Sequence, residues 1–120
     1  MSNLANIIVH LLFLLVIVSP TAVHAKELKK GMPFLAARTL LLHKGWRPIN
    51  VHEGDNFSYI GIDKILVKAN IKEVESCAMD KAVCIFNYKK CDKCLRLFTQ
   101  GEKIKGMRVY EWTYDCPDGH

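Results

Sequence analysis

The fold is decided by residues 83–112, VCIFNYKKCDKCLRLFTQGEKIKGMRVYEW. The ranges 83–88, 95–99 and 107–112 are short apolar or aromatic segments, and their pattern is interpreted as the period of two that is typical of strands. Polar turns separate the three segments, so they are predicted to form an antiparallel meander. Residues 73–77 are a candidate for a further strand that leads into it. The sheet is therefore expected to have three or four strands.

Two helices are predicted upstream of the meander. Over 33–44 apolar residues recur at helical spacing, and Gly45 follows as a helix-terminating glycine. Residues 62–69 show the same spacing over a shorter stretch and are predicted to form a short helix, with a strand that starts at 65–67 as the alternative. Between them, 46–51 is predicted to be an edge strand, because its proline imposes extended geometry on the preceding residue, and 52–59 a surface loop. The expected fold is α+β, with one long N-terminal helix and a short helix packed on one sheet face.

Residues 1–25 are predicted to be a secretory signal peptide. They contain no Lys, Arg, Asp or Glu, and 7–18 form an apolar run that only His10 interrupts. Such a run is shorter than the roughly 20 residues that cross a bilayer, but it matches the hydrophobic region of an export signal. Ala25 and Val23 supply the small residues of a cleavage site, with an uncleaved anchor as the alternative. We expect a single periplasmic or secreted domain over 26–120.

The charge of the chain indicates what kind of partner it binds. Seventeen basic and 12 acidic residues give a net charge of +5, and none of them lies in the predicted leader. An excess of this sign favours anionic partners. We expect a protein with an acidic surface, with peptidoglycan or anionic lipid as alternatives. Nucleic acid is not expected, since the sequence has no long basic run and the chain is exported.

Five cysteines in a short exported chain predict a disulfide-stabilised domain. Cys77 ends one predicted strand and Cys84 begins the next, so these two are expected to pair. The C-x-x-C of Cys91 and Cys94 is interpreted as a second structural disulfide. Cys116 is then free or bonded to another chain, although its pairing with Cys91 or Cys94 by strand adjacency stays open.

Other chemistries compete for Cys91 and Cys94. A redox-active dithiol needs its first cysteine at a helix N-terminus, whereas Cys91 falls between two strands, in a predicted hairpin turn. A zinc site would recruit Cys116 and His120 to complete a Cys₃His set. The redox or zinc protein is kept as an alternative, while no cofactor or metal is expected.

Catalytic motifs are absent from the sequence. His43, His52 and His120 occur without a nucleophile elbow, an H-E-x-x-H motif or a Gly-rich phosphate loop. The sequence therefore predicts a protein that is not an enzyme.

Basic and aromatic residues share one predicted face of the meander. The alternation directs Leu97 and Val109 towards the helices and leaves the opposite face open to solvent. Tyr, Trp and Arg are enriched at binding hot spots. The candidate binding face consists of Arg96, Phe98, Arg108, Tyr110 and Trp112. Mutual stabilisation of exposed strand residues across the ladder is the alternative interpretation.

Two resemblances extend these expectations. Residues 31–34, GMPF, and 44–48, KGWRP, resemble the opening of small exported bacterial proteins in which a helix runs into a Gly-Trp-x-Pro strand. The later 73–77, EVESC, is similar to the same group, which has no established activity. Gly31, Ala37, Leu41 and Gly45 also resemble the start of PASTA cell-wall-binding modules, which implies binding of peptidoglycan fragments.

The leading hypothesis is an exported binding protein that acts as an inhibitor of an envelope enzyme or toxin, or as an immunity-type protein against one. A cell-envelope module that binds peptidoglycan or anionic lipid is the first alternative. A redox or zinc protein that uses Cys91 and Cys94 is the second.

Overall fold

The computed structural model describes residues 27–119. Residues 1–26, which include the predicted signal peptide at 1–25, and His120 lie outside the described residues. The elements, in chain order, are α1 Phe34–His43, β1 Arg47–Pro48, α2 Ile62–Lys68, β2 Val74–Cys77, β3 Val83–Lys90, β4 Lys93–Gln100, a 3₁₀ helix Ile104–Gly106 and β5 Arg108–Thr113.

The sheet is antiparallel throughout and is built around β3. β3 and β4 pair over their whole length, from Val83 opposite Gln100 to Lys90 opposite Lys93, and β5 pairs with the far side of β4. β2 and β1 both pair with β3, near its start and its end respectively. Since β4 occupies the other side of β3, β2 and β1 share one edge. The sheet therefore has five strands, not the three or four expected, because the edge strand predicted within 46–51 and the lead-in strand predicted over 73–77 both join it.

α1 covers the centre of this sheet. Phe34 stacks on Phe86 of β3, with 4.1 Å between the ring centroids, and Ala37 and Leu41 follow on the same helix face with almost no exposed area. Helical spacing puts these three positions on one side, so a single face of the helix fills the core. Leu66 of α2 is also fully buried, and it belongs to the same core.

The predicted long N-terminal helix is wrong in its length, because α1 has only 10 residues. It ends where Gly45 takes a left-handed conformation with φ of +89°. There the Gly45 N–H donates to Leu42 O at 3.1 Å and the Trp46 N–H donates to Leu41 O at 3.0 Å. These two bonds are those of a Schellman motif, which satisfies the last carbonyls of a helix. The glycine thus stops the helix and turns the chain into β1.

One irregularity in the sheet decides which way the residues of β5 point. Phe98 pairs with Glu111, but the next residue of β4, Thr99, pairs with Val109. Tyr110 is therefore an extra residue, a β-bulge that reverses the alternation after it. Val109 before the bulge and Trp112 after it both point towards the helices.

Candidate functional site

Three residues of the predicted binding face lie together on the sheet face away from the helices. Leu97 points into the core, so its neighbours Arg96 and Phe98 point outwards. The Arg96 guanidinium lies 5.7 Å from the centroid of the Phe98 ring, and the rings of Phe98 and Tyr110 meet edge to face at 6.3 Å. Arg96 also donates to the Glu75 carboxylate at 2.6 Å, which neutralises its charge. This surface is aromatic, but it has lost the basic character expected for it.

The other two predicted residues are placed elsewhere. Trp112 pairs with Leu97 and packs against the core, because the bulge at Tyr110 turns it to the helix side. Arg108 donates to the carbonyl of Gly31 at 3.1 Å and helps to fix the segment before α1. The assignment of Trp112 to the open face is wrong, and the five residues do not form one surface.

Positive charge instead gathers where the β3–β4 hairpin turns. The turn itself is Cys91 and Asp92, and the strand register places Lys90 directly opposite Lys93. On the outer edge, Arg47 of β1 lies opposite Lys89, and both point to the sheet face away from the helices, whereas Lys90 and Lys93 point to the helix face. The Lys90 side chain also passes over Gly45, beside the end of α1. We name this group the hairpin cluster: Lys44, Arg47, Lys89, Lys90 and Lys93.

The hairpin cluster takes part in no ion pair within residues 27–119, and the carboxylate nearest to it in sequence is Asp92 of the turn. The ion pairs in this part of the chain join Arg38 to Glu73, His52 to Asp55 and Arg96 to Glu75, and none includes a member of the cluster. Like charges directly opposite one another in a sheet are destabilising. The arrangement therefore suits an anion that is not part of these residues.

An aromatic pocket opens beside the cluster, between α1 and the end of β5. Its volume is about 270 Å³, and both tryptophans of the chain line it. The lining residues are Glu27, Leu28, Leu40, Leu41, Lys44, Trp46, Leu95, Trp112 and Tyr114. Lys44 belongs to the pocket and to the hairpin cluster, so an apolar recess and a cationic surface adjoin.

A larger cavity lies at the opposite end of β3. It has a volume of about 540 Å³ and lies between the segment before α2 and the β2–β3 connection, with the Cys77 side of the disulfide among its lining. Met79 in its wall is 82% exposed, and Asp80, Lys81 and Glu102 are charged and exposed. Since none of these polar groups is buried, the cavity lacks the convergent polar contacts of a built ligand site.

The disulfides are Cys77–Cys84 and Cys94–Cys116. The first is the pair expected from strand adjacency. The predicted Cys91–Cys94 bond and a free Cys116 are wrong, because Cys94 is bonded to the tail that returns after β5. This bond is one of the pairings of Cys116 that strand adjacency had left open. Cys91 is an exposed free thiol in the hairpin turn, with φ of 55°.

The loop over 52–59 is ordered by His52. Its Nδ1 lies 2.9 Å from Asp55 Oδ2, its Nε2 lies 2.6 Å from Glu75 O, and its ring stacks on Phe57. The hydrogen bond with His52 and a second one from the Phe57 N–H lower the pKa of Asp55, whereas burial raises that of Tyr59. One ring nitrogen is engaged within the loop and the other by the backbone of β2, so His52 fastens the loop to the sheet.

The described part of the chain offers neither a metal centre nor a membrane-crossing helix. No group of three or more His, Cys, Asp or Glu in 27–119 is placed to hold a metal ion. The Cys94–Cys116 bond also consumes two of the four predicted zinc ligands, and a third, His120, lies outside this range. None of the helices in 27–119 has the length and apolarity needed to span a bilayer.

Comparison with known proteins leaves the site to be interpreted from its own geometry. No family model, curated protein or solved structure matches the chain.

Sequence reasoning missed both the hairpin cluster and the aromatic pocket. Lys89, Lys90 and Lys93 flank a two-residue turn, so their clustering was available from the sequence. The approach of Lys44 and Arg47 was not, because it depends on where α1 ends and which edge of β3 takes β1.

Proposed function

We propose that this chain is an exported binding protein that docks on an acidic surface of a partner protein through the hairpin cluster, as an inhibitor or an immunity-type protein. The register of the hairpin carries the proposal. Two pairs of cations stand opposite each other at this end of the sheet, Arg47 with Lys89 on one face and Lys90 with Lys93 on the other, and none of the four belongs to an ion pair of the described residues.

The energetics favour an anionic partner at this place. Each like-charge pair opposes folding, by analogy with the roughly 0.2–1 kcal/mol of cross-strand pairs. A carboxylate-rich surface would relieve that repulsion, and it would be steered to the cluster by the long-range field. The same charges are therefore unfavourable in the free protein and favourable in a complex.

The scaffold supports a role in recognition. Cys77–Cys84 joins β2 to β3, and Cys94–Cys116 joins the chain after β5 to the start of β4. Cross-links of this kind reduce the conformational freedom that binding would otherwise remove. The hairpin cluster is thus presented on a preorganised end of the sheet.

The test is affinity capture from envelope extract of the producing cell at physiological salt, with the purified exported protein as bait. The informative variant combines Lys89→Gln, Lys90→Gln and Lys93→Gln. A matched control removes the same charge from exposed lysines elsewhere, with Lys30→Gln, Lys68→Gln and Lys103→Gln.

We expect a stoichiometric protein partner to be retained by the wild type and the control but lost by the hairpin variant. Equal loss of the partner in both variants would mean that the interaction depends only on net charge, which contradicts docking through the hairpin cluster. The absence of any stoichiometric partner also contradicts the proposal. Sedimentation with anionic vesicles in place of protein identifies the lipid-binding alternative.

A further inference from the structure

We infer that the aromatic pocket receives one apolar side chain from an acidic segment of the partner, with Lys44 facing a carboxylate next to that side chain. That the partner is a protein rests on the proposed function. The chemistry of the incoming side chain is inferred from the residues that line the pocket.

The size of the pocket selects a single side chain. Its volume of about 270 Å³ lies below the roughly 300–1,000 Å³ of pockets that enclose a whole small ligand. One phenylalanine, leucine or tryptophan side chain matches such a recess. Interface hot spots commonly consist of one large apolar anchor in a pocket of this kind.

The walls are held in place before binding. Trp46 and Trp112 both pack against the hydrophobic core, so their indoles are fixed. Tyr114 is 68% exposed and lies between β5 and Cys116, whose disulfide returns to β4. A rigid pair of indoles with one accessible phenol offers a large contact area at a small entropic cost.

The charges at the rim of the aromatic pocket determine which charge the partner's segment should carry. Lys44 and Glu27 both line the pocket, but Lys44 has Lys90 close to it across Gly45. Lys93, opposite Lys90, points to the same sheet face. The cations therefore outnumber the acidic groups at this rim, and Glu27 is the acidic residue of the lining itself. Charge complementarity then favours an apolar residue flanked by Asp or Glu.

Intrinsic fluorescence reads this pocket selectively, because Trp46 and Trp112 are the only tryptophans in the chain. The probe is the blocked peptide acetyl-Asp-Asp-Phe-Asp-Asp-amide, titrated into the purified exported protein. The same peptide with Ala in place of Phe, and one with Lys in place of every Asp, serve as reference ligands. We expect a saturable change with the first peptide and at least about tenfold weaker binding of the other two.

Three variants separate this inference from general stickiness. Tyr114→Ala should raise the Kd at least about fivefold, as expected for a hot-spot aromatic. Lys44→Gln should raise the Kd about two- to fivefold and Glu27→Gln should lower it by a similar factor, the scale of exposed charge pairs. Tyr110→Ala, an exposed aromatic on the opposite sheet face, is the control and should leave the Kd unchanged.

The inference is overturned if the Ala peptide binds as well as the Phe peptide, if Tyr114→Ala has no effect, or if the two charge changes shift the Kd in the same direction. A fluorescence titration without any change also overturns it. These outcomes are independent of the capture experiment. A partner lost with the hairpin lysines but kept by Tyr114→Ala would preserve the proposed function and remove the pocket from it.

Discussion

The hydroxyl of Tyr88 donates a hydrogen bond to the carboxylate of Glu73 across 3.0 Å, and neither residue is exposed to solvent. Arg38 of α1 pairs with the same carboxylate through two guanidinium nitrogens. Glu73 thereby joins α1, β3 and the residue before β2 in one polar contact inside an apolar core. A buried carboxylate needs such partners, since charge in a low-dielectric interior is costly when unpaired.

We predict that Arg38→Met is more destabilising than Tyr88→Phe. The first change leaves Glu73 without its cation and should lower the free energy of unfolding by about 3 kcal/mol, near the low end for a broken buried pair because the Arg38 side chain is 24% exposed. The second change removes one hydrogen bond to a charged acceptor and should cost about 1.5 kcal/mol. Urea denaturation at neutral pH measures both. Equal stability of Arg38→Met and an exposed control, Lys68→Met, would contradict the prediction.

The stability of the protein should fall at alkaline pH because of Tyr88. Burial, together with the negative charge of Glu73, raises the pKa of Tyr88 well above the usual 10.0. Above about pH 10 the unfolded chain releases this proton and the folded chain keeps it, so the free energy of unfolding decreases, by up to roughly 1.4 kcal/mol per pH unit. Denaturation between pH 9 and 11 should show this slope in the wild type and in Tyr110→Phe. Tyr88→Phe should have a flatter profile, and an unchanged profile would count against the assignment.

Most helices and strands of this fold could be predicted from the sequence pattern, but the face that each side chain of β5 occupies could not. The apolar and aromatic segments at 83–88 and 95–99 mark β3 and β4, because both strands bury one face against α1. Tyr110 looks like any other strand residue, yet it is the bulge that turns Trp112 inwards. A bulge is decided by pairing with the neighbouring strand, and that information is not local.

A single reactive thiol is expected in the native protein. With Cys77 bonded to Cys84 and Cys94 bonded to Cys116, only the exposed Cys91 is open to reagents. Alkylation with iodoacetamide before denaturation, followed by mass spectrometry, should give one adduct on Cys91 and none in Cys91→Ser. Modification of another cysteine in the native state would disprove this connectivity.

Spacing explains why one disulfide was the expected pair and the other was only one of the pairings left open. Cys77 and Cys84 close a short connection between adjacent strands, with a separation of 7 in sequence. Cys94 and Cys116 are separated by 22, and their meeting requires the chain to come back to β4 after β5. Cys91 is closer to Cys94 in sequence than Cys116 is, but Cys91 lies in the turn itself.

Gly101 should be far less tolerant of alanine than Gly106. A Cβ at Gly101 would lie 2.7 Å from Gly106 O and 2.9 Å from Met107 Cα, at a φ of +134°. A strained backbone of this kind alone costs about 1–3 kcal/mol. At Gly106 a Cβ meets nothing within 4 Å, so Gly106→Ala should change stability by less than about 0.5 kcal/mol. Thermal melting of the two variants makes the comparison, and equal melting temperatures would refute it.

A substitution in the hairpin cluster should make the protein more stable and abolish binding of the partner. Lys93→Glu places a carboxylate opposite Lys90, which exchanges cross-strand repulsion for attraction and should raise the free energy of unfolding by roughly 0.2–1 kcal/mol. The gain should shrink in high salt, where surface charges are screened. Lys30→Glu makes the same change in net charge outside the sheet and should give no comparable gain. Greater stability of Lys93→Glu combined with loss of the captured partner is the expected outcome, because the same lysine would then serve binding at a cost to folding. If Lys93→Glu is less stable than the wild type and still retains the partner, the cluster is neither strained nor used.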